Sequence, residues 1–216
     1  FSSPKEGSAA LFKDKKWRNF FLNEPRGGVF KHCNIIVKAS NPKADAGFII
    51  MEPEDNPPMS GSNSMCVSTV LLEKNIIKMN YPTTTLYLEA PGGLIKVVAE
   101  CQNNKVKNVS ISNLPSFVDK IDVELKTKKY GNIIVSTAYG GDSFLLCDVN
   151  DFNLKIIPDN AKLFVSIARE LLNEANEQIG FHHPTMPNLN NISFCQFMEA
   201  IEINSKGHKV AKNTVV

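Results

Sequence analysis

The sequence lacks the features that mark several common classes of protein. Over 216 residues it has no apolar run near the roughly 20 residues that span a bilayer. Its five cysteines are scattered and none forms a C-x-x-C pair, so neither a zinc site nor a disulfide framework is indicated. No phosphate-binding loop, dinucleotide fingerprint or Ser-His-Asp order is present. Lysine and arginine form no stripe with interleaved aromatic residues, and the net charge is only +2, so nucleic acid is not expected as a partner.

What is present is the composition of an ordinary globular protein. Hydrophobic residues make up 43% of the chain and charged residues 21%, and the length allows one or two domains. A chain of this size can bury a substantial core. Unpaired cysteines among apolar neighbours fit a reducing compartment, so we predict a cytoplasmic location without membrane association.

The pattern of apolar residues predicts an α+β chain. Helices are expected at about residues 62–74 and 161–179, and the lysine-rich segment 1–20 offers one further helical face. Strands are predicted over residues 34–37, 47–51, 85–88, 94–99, 106–112, 120–125, 133–137, 144–148 and 192–197. We place a domain boundary near residue 158, with a β-rich domain around a helix over residues 1–157 and the start of a second domain over 158–216.

The most informative stretch is residues 58–73, a turn of small residues that leads into an apolar helix. Pro58 cannot lie in a helix interior, and Ser60 is a good N-cap residue. No charge interrupts residues 66–72, so we expect this helix to have no solvent-exposed face. Its first turn would present unpaired N–H groups, a positive dipole end and the Ser60 hydroxyl at one spot, an arrangement suited to a carboxylate.

This stretch resembles the first catalytic motif of the proline racemase family, in which Met-Cys-Gly-His precedes the central helix of the N-terminal domain. Further matches lie in the same order across nearly the whole chain, which makes the resemblance specific. They are Glu24-Pro25-Arg26-Gly27, residues 44–52, Leu88-Glu89-Ala90-Pro91-Gly92-Gly93, Ala138-Tyr139-Gly140-Gly141, His183-Pro184 and Asn213-Thr214-Val215-Val216. The resemblance implies a diaminopimelate epimerase-like fold of two halves, each a β-rich, barrel-like sheet around a central helix. It also implies a proline-like imino acid as substrate, chemistry without a cofactor or metal, and a homodimer.

Two departures from the family pattern bear on activity. Ser60 stands where the family has its first catalytic Cys, and Ser62 where it has His; this Met-Ser-Gly-Ser-Asn form resembles a serine subgroup associated with trans-3-hydroxy-L-proline dehydration and 4-hydroxyproline epimerisation. The second catalytic motif, Asp-x-x-Pro-Cys-Gly-Thr-Gly, would follow Val216, where the sequence stops, and the first residue is Phe1. We therefore expect a piece of a longer protein whose second half is incomplete and which is inactive by itself.

Ser60 is the candidate catalytic residue. A hydroxyl is a far weaker acid than a thiol and no base is evident beside it, so Ser60 is expected to hydrogen-bond the substrate, relay a proton or assist the departing 3-hydroxyl. The alternative is a plain N-cap. Backbone N–H groups of Gly61 and Ser62 would bind the substrate carboxylate, with Asn63 a weaker candidate; the alternative for all three is ordinary turn chemistry.

The same resemblance places His32 and Asn34 on a strand that lines the pocket, although a structural role is the alternative for both. Cys66 is expected to point into the core and Cys195 to pack within a strand, so neither is a favoured nucleophile. Asp142 follows two glycines and is expected to be a solvated turn carboxylate. At the level of function, a non-catalytic imino-acid-binding protein and an enzyme of the same fold acting on another small carboxylate both remain open.

Overall fold

The computed structural model describes residues 1–53 and 55–216. Contacts divide the chain into two compact units, Phe1–Pro115 and Ser116–Val216. Each unit contains one mixed five-stranded sheet in which a helix connects a parallel pair of strands. Within the described ranges, no helix has the length and apolar character needed to cross a membrane.

The first unit begins with two short helices that meet at Asp14. Helix α1 (Pro4–Lys13) starts at Ser3, whose hydroxyl accepts a hydrogen bond from the first turn, and Pro4 occupies a position where no N–H is needed. Helix α2 (Lys15–Leu22) starts at Asp14, whose carboxylate accepts from the N–H of Lys16 at 3.0 Å. The predicted helical segment is therefore two helices, because Asp14 ends one and caps the next.

The first sheet is organised around a strand that is buried on both faces. Its strands β1 to β5 are Cys33–Val37, Ala46–Met51, Thr83–Ala90, Gly93–Gln102 and Lys105–Ser112, paired in that order. Only β2 and β3 are parallel, and their connection contains helix α3 (Gly61–Glu73). Phe48 and Ile50 of β2 belong to the same core as Leu71 of α3, while Ile49 and Met51 pack with residues of α1 and α2. Burial on both faces explains the unbroken apolar run of β2.

The prediction that α3 has no solvent-exposed face is wrong. Met65 and Val70 are 39% and 46% exposed, and Cys66 is also exposed rather than turned into the core. Cys66 and Val70 are four positions apart and share a helix face, and Met65 is exposed at the adjacent position, so the exposed side of α3 carries apolar side chains here. The opposite face is buried, and the Ser64 and Ser68 hydroxyls bond the carbonyls of residues 60 and 64 within it.

The second unit repeats the same plan. Its elements are β6 (Phe117–Thr127), β7 (Gly131–Tyr139), β8 (Ser143–Asp148), α4 (Ala161–Gln178), β9 (Phe194–Met198), β10 (Glu202–Ile203), β11 (Lys209–Val210) and β12 (Asn213–Val215). The sheet order is β12-β9-β8-β7-β6, and β10 and β11 form a separate hairpin. The apolar stripe of α4, including Phe164 and Leu171, packs with Leu125 and Phe197 of the sheet.

The α+β class and the two main helices agree with the sequence analysis, whereas two other features differ. Both sheets are open over the described residues, with β1 and β5 at the edges of one and β6 and β12 at the edges of the other, so the expected barrel-like closure is not seen. The division into units falls after Pro115 rather than near residue 158. The reason is that β8 pairs directly with β9, which joins residues on both sides of position 158 in one sheet.

Candidate active site

The chain enters α3 through a loop that is held on both sides. The carbonyl of Pro58 accepts from the N–H of Gly92 at 2.9 Å, and Met59 is buried in the core. A Cβ atom added at Gly92 would lie 2.8 Å from Leu114 Cδ1, so the absence of a side chain at this position lets the backbone lie close to Leu114. Ser60 then takes an extended backbone conformation and its carbonyl begins the helix by accepting from the N–H of Ser64 at 3.0 Å.

Ser60 occupies the N-cap position, but its hydroxyl does not cap the helix. The Ser60 Oγ instead accepts a hydrogen bond from Asn63 Nδ2 at 2.8 Å and lies 3.4 Å from Ser62 Oγ. The plain N-cap alternative therefore does not account for this side chain. The first turn itself contains no acidic residue that could bind its N–H groups. The N–H groups at residues 61–63 and the positive end of the helix dipole can bind an anion here.

Asn63 is the centre of a small polar network. Its side chain is buried, with 5% of the residue exposed, and Asn34 of β1 donates from Nδ2 to its Oδ1 at 2.8 Å. That bond orients the Asn63 amide so that its NH₂ group points to Ser60. Asn63 Nδ2 also lies 3.3 Å from His32 Nδ1. Four of the predicted site residues, Ser60, Asn63, His32 and Asn34, are thus brought together, and Asn63 connects the other three.

Glu52 belongs to this network but was missed by the sequence analysis. Its Oε1 lies 3.2 Å from His32 Nδ1. Burial raises the pKa of the Glu52 carboxyl above its usual range; the nearby His32 opposes this shift and Asp55 adds to it. Sequence patterns did not identify Glu52, because it faces His32 only through strand register: Cys33 pairs with Met51, and the next residues outward are His32 and Glu52. His32 precedes β1 rather than lying on the strand.

Arg18 of α2 holds the backbone beside Glu52. This buried guanidinium donates to the carbonyls of Glu52 and Asp55 at 2.6 and 3.1 Å and to Asn56 Oδ1 at 2.8 Å. Asn56 in turn donates to the carbonyl of Ser8 in α1 at 3.0 Å. Arginine suits this role because its planar guanidinium group carries several N–H donors. No sequence pattern identifies Arg18, because it lies among other basic residues and its role depends on tertiary contacts.

The remaining candidates lie outside this network. Cys195 is fully buried with its sulfur 3.8 Å from Cys147, and the contact with Cys195 together with burial raises the pKa of the Cys147 thiol well above its usual range. Structural packing is the consistent role for both. Asp142 is 4% exposed, so the expected solvated turn carboxylate is in fact buried. Its Oδ1 accepts from the N–H of Ser143 at 2.7 Å in the second unit.

Comparisons with known proteins agree with the sequence resemblance. The family model described as "Proline racemase" matches residues 5–216. A hydroxyproline epimerase from Agrobacterium vitis, solved with bound trans-4-hydroxy-L-proline, is 33% identical with a TM-score of 0.87; the match covers 99% of this chain and 63% of that one. A probable proline racemase from Agrobacterium radiobacter K84, solved with bound carbonate, is 33% identical with a TM-score of 0.86, over 98% and 62% of the two chains.

A more distant match extends the likeness in fold alone. Methylitaconate-delta-isomerase is 15% identical with a TM-score of 0.52, over 98% of this chain and 67% of that one. The chain spans slightly less than two thirds of the length of the two Agrobacterium proteins.

Proposed function

The chain belongs to the proline racemase family, and we propose that it supplies the Ser60 side of a site that abstracts the Cα proton of a hydroxyproline. The observation that carries this proposal is the position of the Ser60 hydroxyl. It lies at the start of α3, does not cap the helix, and is held by a buried amide beside the first backbone N–H groups of the helix. The structure similar to this chain that was solved with trans-4-hydroxy-L-proline supports an imino acid as the ligand.

The carboxylate of the substrate is the group best suited to the helix start. Backbone N–H groups of Gly61 and Ser62 would bind it, and the helix dipole favours its negative charge. Gly61 has little room for a larger residue, because an added Cβ would lie 3.2 Å from Ile111. The ring of the substrate would then lie next to Ser60 and the polar side chains of His32, Asn34 and Asn63.

The chemistry open to Ser60 follows from its partner. Since Asn63 donates to the Ser60 oxygen, the hydroxyl proton remains available for the substrate. In dehydration of trans-3-hydroxy-L-proline, a base removes the Cα proton and Ser60 would protonate the 3-hydroxyl as the C3–O bond breaks, releasing water. In epimerisation of 4-hydroxyproline, Ser60 would instead return a proton to Cα from the face opposite the base. In both reactions the base would be the thiolate of the Cys in the family's second motif.

A non-catalytic imino-acid-binding protein is the second candidate. The observation that favours it is that both groups in direct contact with the Ser60 hydroxyl, the Asn63 amide and the Ser62 hydroxyl, are neutral. Neither can remove a proton from Ser60. In this case the helix start would bind the carboxylate without any turnover.

Proton NMR in D₂O tests these two candidates. Trans-3-hydroxy-L-proline, trans-4-hydroxy-L-proline and L-proline are each incubated with the 216-residue chain and with a version extended through the Asp-x-x-Pro-Cys-Gly-Thr-Gly motif. We expect loss of the Cα-proton signal with the extended version alone, and loss of that activity in Ser60→Ala but not in the exposed control Ser205→Ala. Ligand binding without exchange in either version would favour the non-catalytic candidate.

A further inference from the structure

Two neighbours of His32 require opposite protonation states of the same ring nitrogen. Its Nδ1 lies 3.2 Å from Glu52 Oε1, which can only accept a hydrogen bond when ionised. The same Nδ1 lies 3.3 Å from Asn63 Nδ2, which can only donate. A protonated Nδ1 satisfies Glu52, whereas an unprotonated Nδ1 satisfies Asn63. The neutral ring can therefore satisfy only one of these two partners through Nδ1. Which partner it satisfies determines whether Nδ1 or Nε2 carries the lone pair.

The contacts favour Glu52. Glu52 lies within ion-pair distance of Nδ1, and its negative charge attracts an N–H and repels a lone pair there more strongly than a neutral amide affects either. Asn63 also has less need of His32, because its NH₂ group already donates to Ser60 at 2.8 Å and its oxygen accepts from Asn34 at 2.8 Å. With the proton on Nδ1 directed to Glu52, the Nε2 atom of His32 carries the lone pair.

The surroundings hold Glu52 in this position. Arg18 donates to its backbone carbonyl at 2.6 Å, and the same guanidinium binds the carbonyl of Asp55. Among the residues that the structure describes, the charged and titratable groups around the pair are Arg18, Asp55, Lys31 and the Cys33 thiol. The imidazole is 40% exposed and the carboxyl side chain 19%, so the ring is the more accessible of the two to a ligand.

We propose that Glu52 is a positioning residue that holds His32 in the Nδ1–H tautomer and leaves Nε2 as the proton acceptor of a ring that contacts Asn63, the hydrogen-bond partner of Ser60. The meaning of this acceptor for catalysis rests on the proposed function, in which it would assist proton transfer at the Ser60 side of the site. No base of this kind was evident from the sequence. The proposal adds Glu52 and the protonation pattern of His32 to the site.

The tautomer can be measured without any turnover. The 216-residue chain is labelled with ¹⁵N-histidine, and ring ¹⁵N shifts and two-bond couplings are recorded at pH 8, with His32 assigned by its loss in His32→Gln. We expect a pyrrole-type Nδ1 and a pyridine-type Nε2 in the unmodified chain. In Glu52→Leu the ratio of the Nδ1–H to the Nε2–H tautomer should fall about tenfold, because Asn63 then becomes the partner of Nδ1.

Two further variants make the result decisive. Glu52→Gln keeps the shape of the side chain and removes its charge, so it should move the ratio in the same direction even where Glu52→Leu does not fold. Glu202→Gln, at an exposed position in β10, should leave the ratio unchanged. An Nε2–H tautomer in the unmodified chain, or an unchanged ratio in both Glu52 variants, would overturn the proposal. Because the readout does not require substrate, these outcomes are separate from a failure of the D₂O exchange experiment.

Discussion

Replacing Asn63 with Ala removes the side chain that joins the polar groups around Ser60. The substitution deletes two hydrogen bonds of 2.8 Å, one from Asn34 and one to Ser60, and a longer contact to His32. Each neutral hydrogen bond contributes about 1 kcal/mol net, and the half-buried Asn34 amide loses its acceptor. We therefore expect the free energy of unfolding of the first unit to fall by about 2 kcal/mol.

The chain offers a selective probe for this measurement. Trp17 is the single tryptophan and lies on α2 in the first unit, so its fluorescence during urea unfolding reports on that unit. A loss of about 2 kcal/mol corresponds to a midpoint lower by about 1 M urea for a domain of ordinary slope.

Asn108→Ala is the matched control. Asn108 is an exposed residue of β5 that donates one hydrogen bond, to Glu100 at 2.9 Å. Its replacement should change the free energy of unfolding by no more than about 0.5 kcal/mol. If Asn63→Ala shifted the midpoint no further than Asn108→Ala, the network would not have the central role assigned to it.

Three other predictions concern groups elsewhere in the fold. Burial and nearby Asp142 raise the pKa of Tyr139 to about 12, so the unfolded chain loses this proton first and stability should fall as the pH rises from about 10 to 12. Tyr139→Phe should abolish this loss of stability when unfolding is followed by circular dichroism across that pH range. A variant whose stability falls in parallel with that of the unmodified chain would contradict the prediction. Cys66 should react with a thiol reagent in the folded chain, whereas buried Cys147 should react only after denaturation; equal rates would refute this order. Arg18→Met should lower the Trp17 unfolding midpoint by about 1 M urea or more, because three acceptors lose a charged donor; an unchanged midpoint would contradict the contacts described.

Much of the local structure could be predicted because it depends on neighbours in the sequence. Alternation and turn residues placed most strands within a few residues, and Pro58 with Ser60 located the start of α3. The exposure of Cys66 and the burial of Asp142 could not be predicted in this way. Which side of an apolar helix or turn is covered depends on distant segments, and the periodicity of one segment carries no information about them.

The sequence by itself determined the two longer helices, most of the strands and the loop that leads into α3, since caps and side-chain alternation are properties of short segments. Only the tertiary structure decided what surrounds Ser60. Pairing of β1 with β2 sets His32 opposite Glu52, and packing of α3 against the first sheet brings Asn63 to Asn34. These contacts join residues about 20 to 30 positions apart in the sequence, and their hydrogen bonds depend on distances that only the packed chain defines.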